Sequence, residues 1–320
     1  MTAQPLCSVS VDVDTLRFYH DIHGLPAPSA DQTDAIYTHA MPRILQLFRE
    51  IGIRGTFFLI GEDAHVPAHR DILHQLSEEG HEIANHTQHH PYRLTALSAE
   101  EMEDEIAQAE FTLQPFLRAG QRIVGFRSPG YNTHPTLLHI LRKRGYRYDS
   151  SVFPCPPYYL AKAAIMALMQ LRGRPSRALL GSPKVLLAPH HPYQPSDDPH
   201  TPHKAPVPSD IWQLPIAVVP GLQLPLIGTS LLIYPAPLLQ PMLRLALRQS
   251  SFLNLELHAL DFFDAYNDPG ASALLPHQPD LRLSLTRKLQ RLKDAFLTIQ
   301  RTHRFLPIAE TLPAAHSNGL

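Results

Sequence analysis

A chain of 320 residues with 28 basic and 29 acidic side chains has a net charge of −1. It is long enough to bury a core without disulfide staples, and it lacks the basic footprint of a nucleic-acid binder. Cys7 and Cys155 make neither a disulfide framework nor a zinc-knuckle or CxxC spacing, while 32 Pro and 20 His are both in excess.

Taken in chain order, Cys7 to Val13 alternates and is rich in Val, which predicts a strand running into Asp12, Asp14 and Thr15. A polar loop is expected from His20 to Asp34. Apolar residues then recur at helical spacing from Ile36 to Ile51, Gly52 stops that helix, and Thr56 to Ile60 reads as a strand. The alternation continues with a helix over Ala68 to Glu79, a strand over Glu82 to Asn85, and a long helix capped by Ser98 with Glu101 in the capping-box position. The acidic run Glu100 to Glu105 reads as the solvated face of that helix. Next come a strand at Ile123 to Phe126, a helix at Pro135 to Arg144 and a strand at Tyr146 to Ser150. Such spacing predicts a parallel sheet.

The pattern breaks from Phe153 to Asp210, a Pro-rich insertion over one face, and returns with Trp212 to Val219, a helix near Pro237 to Arg248 and a strand at Phe252 to Leu257. A helix over Leu283 to Thr302 and a strand at Phe305 to Ile308 follow. The fold expected is α/β, a single irregular (β/α) barrel of seven or eight strands over residues 1–320, with the insertion at about 153–210. Ile211 to Leu243 carries no charge, but six prolines interrupt it, so buried strands and turns are expected there and not a spanning helix. Met1 to Pro5 is too short and polar for a signal sequence, which points to the cytoplasm, with the inner face of the membrane as a further location.

The polar clusters fall at the ends of predicted strands, where barrel enzymes build their sites. Asp12 and Asp14 end the first strand, His86 and His90 follow the third, Arg127 the fourth, Asp149 ends the fifth and His258 a late one. Taken alone, Asp12-Val-Asp14 reads as a surface Asp-x-Asp. His86-Thr-Gln-His-His90 puts two imidazoles at i and i+4, facing one way on a helical turn and able to hold one metal ion. His89 would point elsewhere. Two imidazoles and one carboxylate make the three-ligand set of catalytic zinc sites, with the second carboxylate a candidate base.

These motifs resemble the polysaccharide deacetylase family, the NodB-type or carbohydrate esterase family 4 proteins, over about residues 6 to 260. Val11-Asp-Val-Asp14, His86-Thr-Gln-His-His90, Arg127-Ser-Pro-Gly-Tyr131, Tyr148-Asp149-Ser-Ser151 and Leu255-Glu-Leu-His258 are similar to its five motifs in order. The resemblance implies that Asp14, His86 and His90 ligate a divalent metal, most simply Zn2+ with Co2+ or Ni2+ as alternatives. It further implies that Asp12 is the general base, Arg127 orients it, His258 is the general acid, Asp149 tunes His258, and the amide near Gly130 completes an oxyanion hole. The reaction implied is hydrolysis of an N-acetyl group on an amino sugar of a polysaccharide, peptidoglycan or lipid-linked glycan. This sequence departs from the family in separating its aspartates by Val13 and in carrying Gly130-Tyr131 where Tyr-Gly is usual.

Other readings remain: a deformylase of a lipid-linked amino sugar, a glycosyltransferase using Asp12-Val-Asp14 as its DxD motif, and a non-catalytic carbohydrate-binding relative. The glycosyltransferase reading leaves His86, His90 and His258 without a role. Tyr158 to Leu171 is apolar with Lys162 its only charge, and Arg172, Arg174 and Arg177 follow. At 14 residues it is too short to span a bilayer. It is open to packing over the barrel, to lying on a membrane surface against lipid or a lipid-linked substrate, or to a subunit contact in a homo-oligomer.

Overall fold

The computed structural model describes residues 4–171, 173, 179–207 and 210–313, so Arg172, Arg174 and Arg177 lie outside the described residues. Its frame is one parallel sheet of eight strands: β1 Leu6–Asp12, β2 Thr56–Leu59, β3 Glu82–Asn85, β4 Gly125–Phe126, β5 Tyr148–Asp149, β6 Trp212–Gln213, β7 Phe252–His258 and β8 Arg304–Phe305. The order is β6-β5-β4-β3-β2-β1-β7, with β8 added beside β1, and every pairing is parallel. Beyond β6 the Ala217 amide donates to the Asn254 carbonyl of β7 at 2.9 Å, so the curled sheet meets itself through a backbone bond. This is the irregular barrel expected.

The strands are sided with period two. Cys7, Val9 and Val11 of β1, Phe57 and Leu59 of β2, and Leu253, Leu255 and Leu257 of β7 belong to the large core that the helices share. The alternate residues face the interior of the curl, where a small cluster of Phe58, Ala84, Tyr148, Leu214 and Ile308 fills the base. Above it the interior turns polar: Ser10, Asp12, Arg127, Ser150, Asn254 and Glu256 are all buried. Gly125 has no Cβ because the Tyr148 side chain occupies that space, 2.0 Å from where one would sit.

The helices are α1 Leu16–His23, α2 Ala30–Ala35, α3 Met41–Ile51, α4 Arg70–Glu78, α5 Ala99–Leu113, α6 Pro135–Lys143, α7 Pro156–Leu171, α8 Gly228–Ile233, α9 Ala236–Gln249, α10 Leu285–Gln300 and α11 Ile308–Thr311. Several differ from the sequence expectation. The stretch read as a loop from His20 to Asp34 takes in the end of α1 and nearly all of α2, the latter nucleated by a Ser29–Gln32 capping box. The helix read from Ile36 begins with a π turn over Ile36–Ala40 before Pro42 opens α3. Helix α8 was not expected, because its apolar residues merge with the charge-free run around it. Strands β4, β5, β6 and β8 are two residues each, shorter than their apolar runs suggest.

Candidate active site

The site lies where the strands end, as expected for this fold. Asp12 is the last residue of β1, and its Oδ1 accepts from Arg127 Nη1 at 2.5 Å. Arg127 leaves β4 fully buried and is held on all sides: Nε donates to the Ser150 carbonyl, and Nη2 to the hydroxyls of Ser10 and Ser150. Its guanidinium stacks 4.1 Å over the Phe58 ring. Burial raises the Asp12 carboxyl pKa above the usual carboxylate range, with Arg127 pulling the other way.

Two residues on, Asp14 Oδ1 lies 3.5 Å from His86 Nε2 and 3.4 Å from His90 Nε2. These three side chains are buried and each brings one ligand atom within 4.8 Å of the others. Asp14 Oδ1 and His90 Nε2 have no hydrogen-bond partner, although buried polar atoms are normally paired. A carboxylate oxygen and an imidazole nitrogen without partners, with His86 Nε2 converging on them, fit a divalent cation. The His86 ring is set for this role, since its Nδ1 lies 2.7 Å from the Arg127 carbonyl, which places the proton on Nδ1 and frees Nε2. Burial pushes the His90 imidazole down to about 3, so it is neutral and able to ligate. Burial works to raise Asp14, but His90 and His86 outweigh it and hold the carboxyl well below its usual value.

The two histidines are not on a helical turn. Residues 86–90 form a loop in which Thr87 and His90 have positive φ, 70° and 54°. Side chains have taken over the backbone bonding that a helix would use: Asn85 Oδ1 accepts the Thr87 N–H and Thr87 Oγ1 accepts the His90 N–H. His89 points away to Glu105, as the sequence suggested for it.

His258 ends β7 with Nε2 3.9 Å from Asp14 Oδ2. Its Nδ1 is paired with Glu256 Oε1 at 2.7 Å, and its amide donates to Asp261 Oδ2. Burial works against the imidazolium, but the Glu256 carboxylate overcomes it and raises the pKa well above the ordinary value. Glu256 therefore stands where the sequence reading put Asp149. The reason is the alternation of β5: Asp149 is out of phase with Tyr148 and Ser150, and its carboxylate meets Gln213, Thr133 and Ser151. Asp149 instead supports the next loop, because Ser151 Oγ, which bonds to it, accepts the Ser128 N–H at the start of the Pro129–Tyr131 turn. In that turn the Tyr131 amide is used by the Ser128 carbonyl, and Gly130 has φ 66°.

Residues 32–148 match the family model described as polysaccharide deacetylase. Over that segment the chain is similar to the polysaccharide deacetylases. Relatives include a chitooligosaccharide deacetylase of Rhizobium leguminosarum bv. trifolii, 40% identical over 70 residues, 22% of this chain and 31% of that protein. A peptidoglycan-N-acetylglucosamine deacetylase of Bacillus cereus is 30% identical over 117 residues, 37% of this chain and 51% of that one. The chain thus spans about half or less of the length of the curated relatives it matches. A crystal structure of a Mycobacterium smegmatis protein assigned to the polysaccharide deacetylases shares the fold, with a TM-score of 0.54 at 15% identity over 100% of this chain and 96% of that one. His86, His90, Arg127 and Gly130 lie inside the segment matched by the family model; Asp12, Asp14, Glu256 and His258 lie outside it.

Proposed function

We propose that the chain is a metal-dependent deacetylase that hydrolyses the N-acetyl group of an amino sugar in a polysaccharide, peptidoglycan or lipid-linked glycan. The observation that carries this reading is one largely buried constellation: an Arg127-held Asp12, a converging Asp14–His86–His90 set and a Glu256-held His258. We assign Asp14, His86 and His90 to the metal, with zinc as the ion their chemistry suits. With a divalent metal bound, the site gains a Lewis acid that polarises a carbonyl and lowers the pKa of water.

The chain's own groups supply the rest. Asp12, oriented by Arg127, accepts a proton from the attacking water as the C–O bond forms. The Gly130 amide donates to the developing oxyanion, in a turn that Asp149 steadies through Ser151 and Ser128. His258, kept protonated by Glu256, gives its proton to the leaving nitrogen as the C–N bond breaks. The products are a carboxylate and a free amine.

Metal analysis combined with an acid-release screen over chitooligosaccharides, peptidoglycan fragments and lipid-linked amino sugars tests this directly, scoring acetate against formate. Asp14→Ala and His86→Ala should lose the metal, whereas Asp12→Asn should keep it and lose about 10²- to 10⁴-fold in kcat. Full turnover by Asp12→Asn would mean that Asp12 is not the base.

A further inference from the structure

Helix α7 reverses the usual amphipathic arrangement. Its inward side carries Tyr159, buried, and Lys162, whose Nζ donates to the Gly130 carbonyl at 3.3 Å. The opposite side presents Leu160, Ile165, Leu168 and Leu171 to solvent, with Leu160 72% and Leu171 85% exposed. These positions recur at three to five residues and so share one face. Leu180 and Leu187, further along the insertion, are exposed too. A contiguous apolar face on a protein surface marks something that covers it.

Charge indicates what that is. No Asp or Glu occurs from Ser150 to Ser196, while Lys162, Arg172, Arg174, Arg177 and Lys184 do, in a chain whose net charge is −1. Lys184 is paired with Asp198; the three arginines follow the end of α7 in sequence. An apolar helical face followed by arginines complements a bilayer with anionic headgroups: side chains enter the acyl boundary and cations meet phosphates. A second copy would bring the same acid-free segment and set like charges against each other. At 16 residues α7 is about 24 Å long, and no helix among the described residues is long and apolar enough to cross a membrane.

We propose that α7 is an in-plane docking helix that seats this protein on an anionic lipid surface. Through Lys162, on the side opposite the leucines, the helix touches the Gly130 turn at the edge of the site, so docking holds that edge about one helix diameter, ~10 Å, from the membrane surface. Resting on the deacetylase reading, this narrows the substrate to an amino sugar presented at a bilayer surface.

The experiment is co-sedimentation of the full chain with phosphatidylcholine vesicles made with and without phosphatidylglycerol, over a salt series. Binding should be at least about tenfold tighter with phosphatidylglycerol and should weaken with salt. Combined Leu160→Gln, Leu168→Gln and Leu171→Gln should reduce it by about tenfold or more at unchanged melting temperature, because these side chains are exposed. Arg172→Glu, Arg174→Glu and Arg177→Glu together should do the same if the first variant folds poorly. Absence of binding to the anionic vesicles, or binding that both variants retain, overturns the proposal. So does a concentration-dependent dimer that the leucine variant abolishes while vesicles bind nothing. The vesicle readout needs no turnover, so its failure is distinct from a failure of the deacetylase assignment.

Discussion

Glu256 and His258 are alternate residues of β7, so both project into the interior, and their 2.7 Å pairing leaves the imidazolium as the favoured form. Burial works against that charge and the Glu256 carboxylate outweighs it, raising the His258 pKa; deprotonation of a general acid sets the alkaline limb of a pH–rate profile. Glu256→Gln removes the stabilising charge, so the limb should move to lower pH and kcat should fall by roughly ten- to a hundredfold. An unmoved limb with kcat lowered would assign Glu256 to packing alone. Residues at this scale were legible in the sequence wherever a strand end carried an isolated polar group, which is why Asp12, Asp14, His86, His90, Arg127 and His258 could all be singled out. Glu256 gave a signal too, a charged residue two positions before His258 in an otherwise apolar strand, because the same parity means the same face. Parity also argues against Asp149 as the partner, but in a strand of two residues its phase depends on Tyr148 filling the space beside Gly125, which no local pattern reports.

Among the elements, α5 does more than cover the sheet. Its capping box, Ser98 with Glu101, and its acidic run were readable, and the run was expected to be a solvated face. Glu100, Glu101 and Asp104 are exposed as expected, while Glu103 pairs with Lys143 and Arg144 of the α6 end, and Glu105 accepts from both the His89 amide and its ring nitrogen. The Glu105 carbonyl takes the Gln88 N–H and the Ile106 carbonyl takes Asn85 Nδ2, so α5 grips the loop carrying His86 and His90 along its length. A loop with two positive-φ residues needs such a grip to stay in place. Glu105→Ala leaves the three ligand residues intact but releases His89, and it should weaken metal binding by about tenfold in a competition against a chelator. Since His89 is largely exposed, the stability loss should stay near or below about 1 kcal/mol. A large loss of stability with unchanged affinity would place Glu105 in the fold and not in the site.

At the scale of the molecule, the interior of the curl is layered, and this was the least legible feature. The strand count pointed to a barrel, yet the β6–β7 meeting through Ala217 and Asn254 joins segments far apart in sequence, and a polar interior of serines, Asn254 and Arg127 shows no periodic signal that separates it from a surface. The base is closed from the C-terminal end. The Ile308 amide donates to Thr56 Oγ1 and the Ala309 amide to Glu82 Oε2, while Tyr148 donates to the other Glu82 oxygen. Ile308 itself packs with Phe58, Ala84, Tyr148 and Leu214, and Phe58 carries the Arg127 guanidinium on its ring. Apolar base, aromatic support and charged site therefore follow one another along the axis, joined through Phe58 and through the Leu214 carbonyl, which accepts from Ser150 Oγ and Asn254 Nδ2. Ile308→Ala removes fully buried apolar volume and should cost about 2–4 kcal/mol, read as a lower urea midpoint. Phe58 is still held by Ala84, Tyr148 and Leu214 in that variant, and Arg127 by Ser10 and Ser150. Metal content and kcat should then stay within about twofold of the parent at temperatures where the variant is folded, since contacts made elsewhere in a packed core add almost independently. A kcat that fell in step with the midpoint would show that strain at the base reaches Arg127, and that the layers are one cooperative unit.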